Sequence, residues 1–434
     1  MIIFVVMKRI MLFISAALLF AACSGPLKEK EPAGKEYSRV VILVSEGCNS
    51  LSGYLESDIA EITAMLPNMQ LPADGSNRAF FIISHFPQKT GDYRTPTSPH
   101  IIRLSRDFAG RPVRDTVLTM DEGTVLTKSE NLRSALSFIR DNYPSDSYGL
   151  ILSSHGSGWL PPGYYDSGSG MITPLSVPET ALPDGAVRYN GPFWPDGIAV
   201  KSFAQEIVSA SDGKYSFEMS LHAIAEAIPM KMDYILFDAC LMGGIETAWE
   251  LRNVTDRIGF SQAEVLADGF CYETVLDHLL NESPANPEGV CQDYYRQYQA
   301  EEGTTRCSAT ISLIDCTELD GLARVCTELF STYRNSIDTL QPHLVQGFFR
   351  YNKHWFYDLE DILVQAGISE ADHARLTEAL NRCVIYKDAT EQFMGAFRIR
   401  TFCGLSMYLP SDGNSYLDSY YSELGWNKAT HLVD

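Results

Sequence analysis

The chain of 434 residues carries a formal net charge of −21 and is 45% hydrophobic. That length and composition suffice to bury a sizeable core in one large domain or two. So acidic a body repels nucleic acid and anionic lipid, which excludes both as electrostatic partners, and it favours the approach of basic substrates.

Met1–Ala22 stands apart from the fold. Lys8 and Arg9 precede the apolar run Ile10–Phe20, and Ala21-Ala22-Cys23 follows, the pattern of a secretory signal. Small residues before Cys23 resemble a bacterial lipobox, so Cys23 is the expected lipidation site and its lipid the expected tie to a membrane. A spanning helix would need about 20 uninterrupted apolar residues, and Lys8-Arg9 break this run. The polar, Pro/Gly-containing stretch that follows suits a tether. These features predict an exported, lipid-anchored protein of the bacterial cell envelope. Loss of the leader takes Lys8 and Arg9 with it and moves the net charge from −21 to −23.

Beyond the tether, short apolar and β-branched runs predict strands at Arg39–Val44, Ala79–Ser84, Tyr148–Ser153, Asp233–Phe237 and Arg257–Phe260. Helical spacing lies between them at Ser57–Leu66 and Lys128–Asn142. Further strands are expected at Ser308–Ile314 and Gly404–Tyr408, with Thr317 as the cap of a following helix and Leu340–Leu380 largely helical. Such alternation predicts an α/β fold, a mostly parallel sheet with helices on both faces, plus a largely helical C-terminal subdomain. Gly163–Ser216, rich in Gly, Pro, Ser and Asp, reads as a long loop inside this scheme.

Two strand ends carry the chemistry. Tyr148–Leu152 runs into Ser153-Ser154-His155-Gly156, and Tyr234–Phe237 runs into Asp238-Ala239-Cys240. In α/β proteins ligands meet the chain at the carboxyl ends of strands. A thiol held there can act as nucleophile if an imidazole is near to move its proton. Glycine lets the backbone approach a substrate closely, so the N–H groups of Gly156 and Cys240 are the expected oxyanion donors. The bland reading of Cys240 is a small buried hydrophobe. His85 also follows a strand-like run, but Phe86-Pro87 comes next and offers no glycine amide, so it reads as a structural histidine. The ten cysteines show no CxxC pair and no metal-ligand spacing with histidine, and they read mostly as buried free thiols.

His155-Gly156-Ser157-Gly158-Trp159, Asp238-Ala239-Cys240-Leu241-Met242 and the later Glu246 and Glu250-Leu251 resemble signature blocks of the clostripain family of cysteine peptidases, relatives of caspases and gingipains. The resemblance implies a caspase-like peptidase core at 37–316, after a leader at 1–22 and a tether at 23–36, with 317–434 completing the same unit. It implies a cysteine endopeptidase with a His155–Cys240 dyad that cleaves protein or peptide substrates after Arg or Lys. Ser261-Gln262-Ala263-Glu264 and Ala267-Asp268-Gly269-Phe270 resemble the segment lining the family's substrate cleft, so Asp238, Ser261 and Asp268 are the expected substrate-binding residues. Family members are activated by cleavage between the two blocks, which makes Arg188, Lys201 and Lys214 the basic candidates for processing. No cofactor is required by this chemistry. Calcium enters only because some members use it, and the chain has no Asp-rich loop of EF-hand type.

Competing readings are a lipid-anchored binding protein on a catalytically silent peptidase scaffold, a serine esterase and a metal hydrolase. The chain lacks a Gly-x-Ser-x-Gly elbow and a helical His-Glu-x-x-His, which disfavours the last two.

Overall fold

The apolar runs assemble into one nine-stranded sheet. A computed structural model describes residues 37–70, 77–89, 92–107, 109–164, 186–188, 204–210, 213–349 and 355–433. The leader, Cys23 and Lys201 lie outside these residues. The strands are β1 (Tyr37–Glu46), β2 (Asn77–His85), β3 (His100–Arg106), β4 (Pro112–Thr119), β5 (Tyr148–Ser153), β6 (Tyr234–Asp238), β7 (Arg257–Phe260), β8 (Thr310–Asp315) and β9 (Val384–Ala389). Their order is β9-β8-β7-β6-β5-β1-β2-β3-β4. The five central strands are parallel, and two antiparallel strands finish each edge.

Strict alternation divides the central strands between two cores. Val40, Ile42, Val44, Leu150, Leu152, Ile235 and Phe237 face one side, and Val41, Leu43, Ile151, Tyr234 and Leu236 face the other. Leu132, Ala135, Leu136 and Ile139 of the Ser129–Asn142 helix cover the first face, together with the Leu319–Asp338 and Ile245–Leu251 helices. The Tyr272–Leu276 and Pro287–Gln299 helices and Ile62 of the Ser52–Met65 helix cover the second. This is the layered α/β arrangement expected from the sequence, with helices on both faces.

Several local expectations change. β3, β4 and β9 were not expected; β4 alternates exposed with half-buried residues and opens on a proline, the habit of an edge strand that no apolar run announces. The C-terminal strand is only Ser406–Met407, and it pairs with Tyr357–Asp358 outside the main sheet. Among the described residues of the Leu340–Leu380 segment, helix is confined to Leu359–Gln365 and Glu370–Cys383 besides one short 3-10 turn. Thr317 does not cap the following helix. Asp315 accepts from the Thr317 N–H at 2.9 Å and from its hydroxyl, starting a 3-10 turn that leads into Leu319–Asp338. Within the expected Gly163–Ser216 loop, Ala186–Arg188, Glu206–Ala210 and Gly213–Phe217 form a three-stranded antiparallel sheet with Gly213–Phe217 in the middle.

All nine described cysteines are free, seven of them buried. No described helix is long and apolar enough to cross a membrane.

Candidate active site

The chain enters the sheet at β1, adds β2 on one side, and returns to place β5 on the other. Strand order therefore reverses at β1, the switch point where α/β folds open a crevice at the carboxyl ends. Three strands deliver the site there. Ser153 pairs with Ser45 of β1 and with Asp238 of β6, so His155 and Cys240 each stand two residues beyond one rung of the ladder. Both line a cleft of about 380 Å³ with Ser50, Tyr54, Asp238 and Val265. Cys240 is 8% exposed and His155 is 4% exposed.

Backbone packing explains the glycines beside the histidine. A Cβ on Gly156 would stand 2.3 Å from the Cys240 carbonyl oxygen and 3.0 Å from its nitrogen. Gly158, at φ +58, would bring a Cβ 2.5 Å from the Leu241 carbonyl oxygen. The segment after β5 thus lies directly on the segment after β6. Leu241 itself takes φ +60, a conformation uncommon without glycine, and its N–H donates to Ala263 at 2.8 Å. That turn sends the chain away immediately after the thiol. Trp159, wholly buried, anchors the His155 segment: its indole N–H donates to the Trp355 carbonyl at 3.2 Å, and its ring meets Tyr408 and Tyr421 at 4.8 and 5.1 Å. Large buried aromatics of this kind dominate local packing energy.

Two contacts to the expected dyad were missed in the sequence. Ser50 Oγ lies 2.9 Å from His155 Nε2, reached from the end of β1. The Val265 N–H donates to Cys240 Sγ at 3.3 Å, and a donor aimed at sulfur stabilises negative charge there. Asn49 braces this edge. Its amide donates to the Glu46 carbonyl, to Gln205 at 2.8 Å and to Ser154 Oγ at 3.2 Å. A strand ending in polar residues, the pattern that marks His155 and Cys240, also holds for Glu46–Ser50 and is the one clue the sequence offered.

Asp238 lines the cleft. Its Oδ2 accepts from Tyr272 Oη at 2.9 Å, from Ser153 Oγ at 3.4 Å and from the Phe270 N–H at 3.4 Å. Burial pushes its carboxyl up to about 6, against which these hydrogen bonds act. Gly269, at φ +60, closes over it, since a Cβ there would stand 2.5 Å from Oδ2. Asp58, from the Ser52–Met65 helix, lies close enough to act on the same pocket. Burial and then the Asp238 carboxylate push its carboxyl up to about 9.

The other two expected substrate contacts do not reach the cleft. Ser261 is wholly buried, with its hydroxyl spent on the Ala263 carbonyl at 3.1 Å and on Thr310 Oγ1 at 2.8 Å. Asp268 is half-exposed and forms an ion pair with Arg306 at 3.1 Å, while its neighbours Ala267 and Gly269 line the pocket. His85 is not part of the cleft. It is buried beside Glu46 and Glu206, as a structural histidine. Among the processing candidates, the backbones of Arg188 and Lys214 lie in the small antiparallel sheet.

The Clostripain family model matches residues 44–169 and 201–431, leaving out most of the insertion between β5 and β6. Among solved structures, an inactive zymogen C11 protease from Parabacteroides distasonis is 25% identical, with a TM-score of 0.69 over 92% of this chain and 99% of its own. A secreted C11 cysteine protease from Bacteroides thetaiotaomicron is 24% identical, with a TM-score of 0.69 over 91% of this chain and 99% of its own. The secreted protease from that organism in complex with an irreversible peptide inhibitor is 22% identical, at a TM-score of 0.68 and the same coverage. No curated protein matches the chain. With the family model covering most of its length, this chain belongs to the clostripain family and is a cysteine peptidase.

Proposed function

We propose that the protein is an endopeptidase that uses His155 and Cys240 as its dyad and cleaves after Arg or Lys. The observation that carries this reading is the meeting of both side chains in one cleft with Asp238, where the Gly156 backbone packs so closely on Cys240 that no Cβ fits. Cys240 Sγ attacks the scissile carbonyl, the N–H groups of Gly156 and Cys240 hold the oxyanion, and His155 gives its proton to the leaving amine. Water, deprotonated by His155, then hydrolyses the thioester and frees Cys240. Asp238 receives the guanidinium or ammonium of the P1 residue through charge-assisted hydrogen bonds.

The mechanism itself requires no cofactor. Calcium prefers six to eight oxygen ligands. The one cluster of three metal-ligating side chains among the described residues contains a thiol and an imidazole instead, and does not suit it. A cut between β5 and β6 is the proposed maturation step, at Arg188, Lys201 or Lys214. Export is supported by the leader and by the likeness to a secreted relative, with lipid on Cys23 as the proposed anchor.

The test is turnover of fluorogenic peptides with P1 Arg, Lys, Asp, Ala or Leu by the full chain, with mass spectrometry of the enzyme for cuts inside Gly163–Ser216. Turnover after Arg or Lys, abolished in Cys240→Ala and in His155→Ala with circular dichroism unchanged, is expected. Substantial activity in either variant sinks the dyad, and turnover only after other residues sinks the role of Asp238.

A further inference from the structure

Three buried side chains outside the cleft, Glu46, Cys48 and His85, converge on one point, and Glu206 lies beside them. Glu46, Cys48, His85 and Glu206 are each 1% exposed or less. His85 Nδ1 lies 3.2 Å from Glu206 Oε1 and 3.7 Å from Glu46 Oε2, and one donor atom each from Glu46, Cys48 and His85 lie within 4.8 Å of one another. Glu46 and His85 are register partners across β1 and β2, and Cys48 follows two residues later. Glu206 arrives from the insertion, where its neighbour Ile207 donates an N–H to the Cys48 carbonyl at 2.8 Å. No spacing rule finds such a set, because its members come from adjacent parallel strands.

Each carboxylate and the imidazole has one atom fixed by the protein and another turned to the common point. His85 Nε2–H donates to the Thr97 carbonyl at 2.8 Å, which turns Nδ1 toward the cluster. Glu46 Oε1 accepts from the Cys48 N–H at 3.2 Å. Glu206 Oε2 accepts from the Thr127 N–H and hydroxyl, both at 3.2 Å. Glu46 Oε2, fully buried, has no well-aligned hydrogen bond, and His85 Nδ1 faces only the two carboxylates, Glu206 Oε1 at 3.2 Å and Glu46 Oε2 at 3.7 Å. Buried polar atoms are rarely left so. A histidine whose second nitrogen is held by a backbone carbonyl is the usual outer support of a metal ligand.

We infer that Glu46, Cys48 and His85 form a binding site for a divalent metal ion of the zinc class, with the fourth position left to water. Zinc binds thiolate, imidazole and carboxylate tetrahedrally at 2.0–2.3 Å, so its donors stand roughly 3.3–3.8 Å apart; His85 and Glu46 stand 3.7 Å apart, and the set, within 4.8 Å, closes to that range by a small inward shift. Thiolate and imidazole select zinc over magnesium or calcium. Binding releases the Cys48 thiol proton to solvent and places a dication among the carboxylates. The metal would join β1 and β2 just before Asn49 and Ser50, and so would fix the segment that reaches His155.

The experiment uses full-length Cys240→Ala protein, in which the nucleophile cannot take up metal. After exposure to zinc and removal of free ion, elemental analysis is expected to find about one zinc per chain, and cobalt loading to give a thiolate-to-cobalt charge-transfer band. Cys48→Ser should abolish that band, and His85→Ala or Glu46→Gln should lower the bound metal. Chelation should lower the thermal midpoint, with zinc restoring it. Absence of stoichiometric zinc in the parent protein overturns the site, whatever the variants do. So does cobalt binding without the charge-transfer band, or a band that survives Cys48→Ser.

Discussion

Ser50 Oγ and His155 Nε2 stand 2.9 Å apart, joined across the switch point of the sheet by residues 105 positions apart in the chain. The contact fixes one imidazole nitrogen and so sets the orientation of the ring. Ser50 is a positioning residue in this arrangement.

Ser50→Ala is expected to lower kcat/KM by about tenfold, the rate equivalent of one hydrogen bond near 1.4 kcal/mol. The loss should fall on kcat with KM nearly unchanged, and Ser50→Thr should recover part of it. Steady-state kinetics with the best peptide substrate decide the matter, and a change confined to KM would remove Ser50 from this role.

Gly156→Ala places a Cβ against the Cys240 backbone, 2.3 Å from its carbonyl oxygen, so one of the two segments must move. Displacing an oxyanion donor lowers kcat by roughly a hundred- to a thousandfold. Circular dichroism should be preserved while turnover falls to that extent. An active Gly156→Ala enzyme would show that the oxyanion is held elsewhere.

For Asp238, burial holds the carboxyl up near 6, so the charge that recognises a basic P1 residue is present above that pH and lost below it. With P1 Arg peptides kcat/KM should rise through about pH 6. Asp238→Asn should erase that limb and cut the preference for Arg over Leu by roughly ten- to hundredfold. The check is the pH profile of both proteins on both peptides.

Glu246 governs stability instead. It accepts from the Tyr408 N–H at 3.0 Å and from Tyr421 Oη at 2.7 Å, and burial raises its carboxyl from the ordinary 4.5 to about 7. The folded state holds this proton more tightly than the unfolded chain does. The stabilisation it gives is fully present below about pH 4.5 and is lost as pH rises through about 7. The loss is on the order of 3 kcal/mol. Glu246→Gln keeps an acceptor for both tyrosines and removes the titration, so its urea midpoint should vary less between pH 5 and pH 8 than that of the parent. Parallel curves would remove Glu246 as the source.

The central strands were legible because burial on both faces writes itself as continuous apolar runs. β5 and β7 keep their expected bounds, and β6 shifts by one residue. His155 and Cys240 were legible for the same reason, since each follows such a run. The edge strands were not, because β4 exposes every other residue and looks polar. Ser50, Val265 and Asp58 reach the site only through long-range packing, which leaves no local period to read. Ser261 and Asp268 show the converse: likeness to a motif located the segment but not the side of it that faces the substrate. Ser261 turned inward to Thr310, and Asp268 outward to Arg306.

The ladder between β5 and β6 runs from Gly149–Tyr234 to Ser153–Asp238, and it alone sets the histidine strand beside the cysteine strand. None of the described cysteines bridges that seam. The reaction centre is therefore shared by two halves of the molecule that adhere through a sheet, and peptide-bond continuity between them is dispensable to its geometry. Two separately produced pieces that meet inside the insertion should reassemble an intact centre.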